Sequence, residues 1–144
     1  MALLGPVGLE TLSTRILSST RMTIDELSSV EGLELAFPKS PVFREFAVKV
    51  PGKASEALSH IFELGVIGGF DLGEWWPDRG SWILIGCDER TSESDISLLK
   101  KSLTSWVEES SCLTLFSTSM ARRMLGGPNH FPSQRTPPVT SRNP

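Results

Sequence analysis

The stretch SWILIGC, residues 81–87, runs without pause into DERTSESDI. The run is short, apolar and bounded by charge, so it reads as a β-strand. Its continuous apolar character predicts an interior strand covered on both faces. A helix start signal follows at once. Thr91 or Ser92 can cap it, and Asp95 falls three residues after Ser92, as in a capping box. Ile96, Leu99, Leu103 and Trp106 then recur at helical spacing, which predicts a helix within 88–109. A strand that turns straight into an amphipathic helix confines the chain to architectures in which helices pack on a sheet.

The rest of the chain supplies the other layers. Leu9, Leu12, Ile16, Ile24, Leu27 and Val30 are spaced mostly by three and four, which marks an amphipathic helix over 8–30. Many intervening positions are Ser and Thr, so its propensity is mediocre and it needs a packing partner. Glu31-Gly32 supplies a glycine stop. LELAF (33–37), the turn PKSP (38–41) and VFREFAVKV (42–50) predict an antiparallel hairpin. In its second strand Phe43, Glu45, Ala47 and Lys49 point one way, and the mostly apolar set Val42, Arg44, Phe46, Val48 and Val50 points the other. PGKASEALSHIFELG (51–65) carries an apolar helical stripe and ends on Gly65. Residues 66–80 hold four glycines and a proline and read as loop. The order is α-β-β-α-β-α: an α+β fold with a small antiparallel or mixed sheet and packed helices. The domain is expected to cover 1–110. Residues 111–144, rich in Pro, Gly, Ser and Arg towards their end, are expected to be a disordered tail, within which 113–120 could still dock as a strand.

Charge and composition remove several function classes. A net charge of −3 gives no electrostatic case for nucleic acid. No apolar run approaches the ~18 residues of a membrane span. The opening MALLGPVGLE has no basic start and is broken by Gly5, Pro6 and Gly8, unlike a signal peptide, so a cytoplasmic location is expected. Cys87 reads as a small buried hydrophobe, and two isolated cysteines make neither a disulfide framework nor a zinc site. With only His60 and His130, neither a histidine metal site nor a Ser-His-Asp triad is expected, and no metal is assigned.

The chemistry-bearing residues gather between 69 and 96. Asp71, Glu74, Asp78, Asp88 and Glu89 could include an acid–base pair, but acids in the loops of an acidic chain are ordinarily solvated. Gly65, Gly68, Gly69 and Gly73 do not form a phosphate loop, since no Gly-Lys-Ser/Thr follows. Trp75, Trp76 and Trp82 suit core or interface packing better than ligand stacking. Arg79 and Arg90 could each grip a carboxylate or phosphate, or simply pair with a neighbouring acid. From the residues alone the chain is a small α+β domain without a self-sufficient active site: either a module of a larger enzyme or a free-standing binding domain.

The order of short motifs narrows the choice. ALLGPVGLETLSTRIL, then Phe43-Arg44-Glu45-Phe46, then Gly68-Gly69 ahead of Leu72-Gly73 and Trp75-Trp76-Pro77, then Glu89-Arg90-Thr91 and Asp95-Ile96, resembles the carboxyl-terminal part of glycine dehydrogenase (decarboxylating) subunit 1, over about residues 2–108. That family is the P-protein of the glycine cleavage system in its two-subunit form. The resemblance implies the small carboxyl-terminal domain of a fold type I pyridoxal-phosphate enzyme. It implies an oxidoreductase that decarboxylates glycine and passes an aminomethyl group to the lipoyl arm of the H-protein, with the cofactor acting as electron sink. It also implies that the cofactor and its lysine lie on the partner, P-protein subunit 2, and that no cofactor is bound by this chain. The family's large domain has no counterpart here, so the chain reads as a fragment, of marginal stability and inactive alone, and no catalytic or cofactor-binding residue carries over. Gly69, Trp76 and Arg90 are expected to face the partner or the ligand. Two other readings stay open: the small domain of another fold type I enzyme (an aminotransferase or a cysteine desulfurase, with Arg90 near the substrate-carboxylate position), or a free-standing ferredoxin-like binding module.

Overall fold

The computed structural model describes residues 4–124, with side chains as far as Cys112. The chain runs α1 (Gly5–Ser28), β1 (Glu34–Leu35), β2 (Glu45–Lys49), α2 (Ala54–Glu63), β3 (Phe70–Asp71), β4 (Trp82–Gly86) and α3 (Glu93–Met124). Two short 3-10 turns, Leu72–Glu74 and Pro77–Arg79, separate β3 from β4. The four strands form one sheet in the order β1-β2-β4-β3. Every pairing is antiparallel. The α+β class and the predicted hairpin are therefore as read from the sequence.

Period-two alternation sets the layers. Phe46 and Val48 of β2 lie opposite Ile85 and Ile83 of β4, and these four side chains are buried beneath the helices. Leu27 of α1, Ala57 and Ile61 of α2, and Leu99 and Leu103 of α3 close the same core. Helix α1 buries Ile16, Thr20, Thr23 and Leu27, the four-three-four spacing of a helix seam. Its two buried hydroxyls are satisfied inside the helix, Thr20 donating to the carbonyl of Ile16 and Thr23 to that of Ser19, both at 2.8 Å. The α3 helix is tied to its neighbours by polar contacts. Lys100 reaches Glu26 of α1 at 2.7 Å, and the Trp106 indole donates to the Pro51 carbonyl at 3.0 Å. His60 of α2 is half-buried beside Trp106, with Nδ1 3.6 Å from Glu109.

Three expectations change. First, β4 is interior to the sheet but closed on one face only: Ile83 and Ile85 are buried, whereas Trp82 and Leu84 stay half-exposed on the other side. A short apolar run does not say how many layers cover it. Second, residues 66–80 are not all loop. Phe70 and Asp71 pair with Leu84 and Ile83 as β3. Gly69 permits this with φ +141°, and a Cβ there would collide with the Leu84 carbonyl oxygen. Third, the last helix does not stop near 109 but continues to Met124. No glycine or proline interrupts 93–124, and the first breakers are Gly126-Gly127-Pro128. Of the tail expected over 111–144, residues 111–124 are thus helical, which also removes a strand at 113–120, and residues 125–144 lie outside the described residues. No helix among the described residues is long and apolar enough to cross a membrane.

Candidate functional site

The carboxyl end of β4, the Gly68-Gly69 segment and the first turn of α3 enclose an open cleft of about 460 Å³. Its polar lining includes Asp88, Arg90, Thr91 and Asp95, and its apolar floor includes Ile85, Ile96 and Leu99. Gly68 lies against Ile61, where a Cβ would collide with the Ile61 methyl, so the backbone forms that wall itself.

Both carboxylates in the cleft serve local structure. Asp88 Oδ1 accepts from the amides of Arg90 at 2.9 Å and Thr91 at 3.0 Å, and from the Thr91 hydroxyl at 3.1 Å. Led by the Arg90 amide, these donors hold the Asp88 carboxyl below the ordinary carboxylate value. Asp95 Oδ2 accepts from the Ser92 hydroxyl at 2.6 Å and the Ser92 amide at 2.9 Å, and the Asp95 amide donates back to Ser92 Oγ at 3.3 Å. This is the capping box read from the sequence, with Ser92 as the cap. The Ser92 hydroxyl, then its amide, lowers the Asp95 pKa as well. Both groups are ionised acceptors at neutral pH and offer no proton for acid catalysis.

Arg90 is exposed at the cleft rim, and among the described residues its guanidinium makes no salt bridge within 4.0 Å. It is therefore available to an anionic or carbonyl-bearing group. No lysine lines the cleft. Lys49, Lys53 and Lys100 pair with Glu34, Glu56 and Glu26 at 3.3, 3.1 and 2.7 Å, away from it. A pyridoxal-phosphate Schiff base forms on a lysine amine, and the cleft lining offers none.

The opposite face of the sheet carries a second surface. Phe37, Trp75, Trp76, Leu72 and Leu84 line a shallow groove of about 600 Å³, with Glu45 and Arg79 at its edge. Phe70 and Trp75 pack at 4.9 Å, Trp75 and Trp76 at 5.9 Å, and Phe37 and Trp82 at 5.5 Å. The Arg79 guanidinium lies 4.4 Å over the Trp82 ring, a cation–π contact in place of either partner expected for it. Asp71 accepts from the Gly73 amide at 2.7 Å, which fixes the turn that carries the two tryptophans.

The structure thus brings Gly69 and Arg90 to one cleft and places Trp76 on the other side of the sheet. Two residues lining this groove, Phe37 and Leu84, were not singled out by the sequence reading. The alternation of 42–50 already placed Ala47 on that outer face; the pairing of β4 with that strand, and of β3 with β4, was the missing signal.

No family model matches the chain. Among curated proteins it is similar to probable glycine dehydrogenase (decarboxylating) subunit 1 of Caulobacter sp. (strain K31), 37% identical over 106 residues. The corresponding proteins of Legionella pneumophila (strain Paris) and Desulfovibrio desulfuricans are 33% and 30% identical over 103 residues. Each match takes in 72% of this chain but only 22–23% of the relative, so the chain spans about a quarter of the length of the curated relatives it matches. A crystal structure of glycine decarboxylase (P-protein) of the glycine cleavage system, in inhibitor-bound form, superposes with a TM-score of 0.65 at 26% identity, over 72% of this chain and 23% of that one. The resemblance read from the motifs is borne out in sequence and in fold, and of the three readings left open the first is the one these relatives support.

Proposed function

We propose that this chain acts as the small α+β domain of a glycine dehydrogenase (decarboxylating) subunit 1. Its function is then that of the glycine cleavage P-protein: glycine decarboxylation and transfer of the aminomethyl group to the lipoyl arm of the H-protein. The observation that carries this reading is the coincidence of two matches over the same share of the chain, 37% identity to a subunit 1 relative and a TM-score of 0.65 to a P-protein. In this reading the pyridoxal phosphate and its lysine belong to subunit 2, and subunit 2 and the H-protein are the partners. The chain contributes shape and contacts, not a reacting group. Gly69 and Arg90 face the ligand side through the cleft, and Trp76 faces a polypeptide on the other side of the sheet.

A domain-replacement experiment tests this. Residues 4–112 are exchanged for the matching segment of the Caulobacter protein, and the chimera is assayed with its subunit 2 and H-protein for glycine-dependent CO2 release. The expected outcome is an active complex, with no release from the 144-residue chain alone. A chimera that folds and joins subunit 2 without activity overturns the proposal.

A further inference from the structure

The cleft contains an open length of sheet edge. The Cys87 amide donates to the Arg44 carbonyl at 2.8 Å and the Val50 amide to the Ser81 carbonyl at 2.9 Å, with β2 and β4 in unbroken register between them. The odd-numbered residues of β4 therefore turn their backbone groups toward β2. Trp82, Leu84 and Gly86 turn theirs the other way, because these groups alternate along a strand. Phe70 meets Leu84 on that side, but β3 begins at Phe70 and nothing pairs with Gly86 there. The chain leaves the sheet at Gly69, whose φ of +141° is not strand geometry. Among the described residues, the N–H and C=O of Gly86 thus lack a backbone partner, and Gly86 is exposed. The next N–H on that side, of Asp88, is taken by the Thr91 hydroxyl at 3.0 Å, so the open length is a single residue.

We infer that the cleft receives an extended, uncharged polypeptide segment by antiparallel strand addition, one residue of which exchanges both backbone hydrogen bonds with Gly86. An unpaired donor and acceptor on one strand residue are the complement of a residue on another strand. That residue turns its side chain to the outer face, as Phe70 does opposite Leu84, and its two neighbours turn theirs to the floor. The floor of Ile85, Ile96 and Leu99, with Val66 and the 88% exposed Ile67 beside it, suits aliphatic side chains. Charge decides against an anion. Asp88 and Asp95 are ionised and Arg90 is the one cation in the lining, so Arg90 serves as a donor to a segment carbonyl. Gly68 and Gly69 present no side chain to an incoming main chain. The edge lies in the plane of the sheet, so neither the helix-covered face nor the aromatic face takes part. The inference deepens the proposed function: it rests on the reading of this cleft as the ligand side and names the ligand class.

The test titrates a neutral pentapeptide, acetyl-Ser-Val-Thr-Val-Ser amide, into the 144-residue chain and follows the Gly86 amide by nitrogen–proton NMR and hydrogen exchange. The expected result is a saturable shift of the Gly86 signal and its protection from exchange, with weaker binding by Arg90→Ala. Two altered peptides carry the decision without any risk to the fold. N-methylation of the threonine removes the N–H that would donate to the Gly86 carbonyl, and is expected to weaken binding roughly tenfold. N-methylation of the second valine removes an N–H that faces away from β4, and is expected to leave binding nearly unchanged. Equal weakening by both, or by neither, overturns the inference, as does the absence of any shift at Gly86. Binding that tightens tenfold when the peptide ends in a free carboxylate overturns it in favour of an anion site at Arg90. None of these outcomes depends on catalysis. An inactive domain-replacement chimera is a failure of the functional reading, whereas an active chimera beside a chain that ignores the peptide is a failure of this inference alone.

Discussion

The two faces of the sheet are built from alternate residues of the same two strands, yet one is sealed and the other open. On the sealed face, Phe46, Val48, Ile83 and Ile85 meet three helices and are buried. On the open face, Leu84, Trp82 and Phe70 stay half-exposed and meet Phe37, Arg79 and the short turn that carries Trp75 and Trp76. Stability is therefore expected to reside on one side of the strands and recognition on the other.

Substitutions can break or sharpen that contrast. The largest effect is expected on the sealed side: Leu103→Ala, at a side chain 1% exposed in the middle of the core, should cost about 2–5 kcal/mol in urea unfolding. A cost near zero would mean that the helices do not close the sheet as described. Next comes the seam between the faces. Gly69→Ala forces a side chain into a positive-φ position against the Leu84 carbonyl and should cost about 1–3 kcal/mol by the same measurement, with faster amide exchange in β3.

The cap of α3 should matter less, with Ser92→Ala costing about 1 kcal/mol. It should also change the acid response. The Asp88 and Asp95 carboxyls titrate below their ordinary value when folded, so near pH 4 the unfolded chain binds more protons than the folded one. Their stabilisation is present above the unfolded-state pKa and is lost as pH falls from about 4 through the lowered values. Because the Ser92 hydroxyl is the leading cause at Asp95, Ser92→Ala should flatten that loss in a pH series of melting temperatures. The smallest effect belongs to the open face. Trp75→Ala should cost no more than about 1 kcal/mol, the worth of its ring contact with Phe70, while weakening partner binding strongly. A large loss of stability there would erase the division of labour.

Much of this was legible from residue order. The alternation of 42–50 placed Phe46 and Val48 inward, because successive side chains on a strand must point to opposite faces. Ser92 and Asp95 announced the start of α3, because a cap is a local hydrogen-bonding event between neighbours in the chain. The glycine stop expected at Glu31-Gly32 was not the cap: α1 ends at Ser28 with Ser29 as its cap, and Gly32, at φ +93°, turns the chain four residues later. The candidate site was half legible: Gly69 and Arg90 share a cleft, but Trp76, only seven residues from Gly69 in the sequence, lies on the other side of the sheet.

Only the tertiary structure decided the rest. β3 has two residues and no pattern of its own, and it exists because β4 offers it an edge and Gly69 lets the backbone approach. The one-sided burial of β4 and the gathering of Phe37, Trp75 and Leu84 into one groove depend on residues far apart in sequence meeting across strands. Local rules determine where elements start, stop and turn their apolar side, because those preferences act within a few residues. Which faces are covered, and by what, depends on packing between elements, and that is settled only when the layers come together.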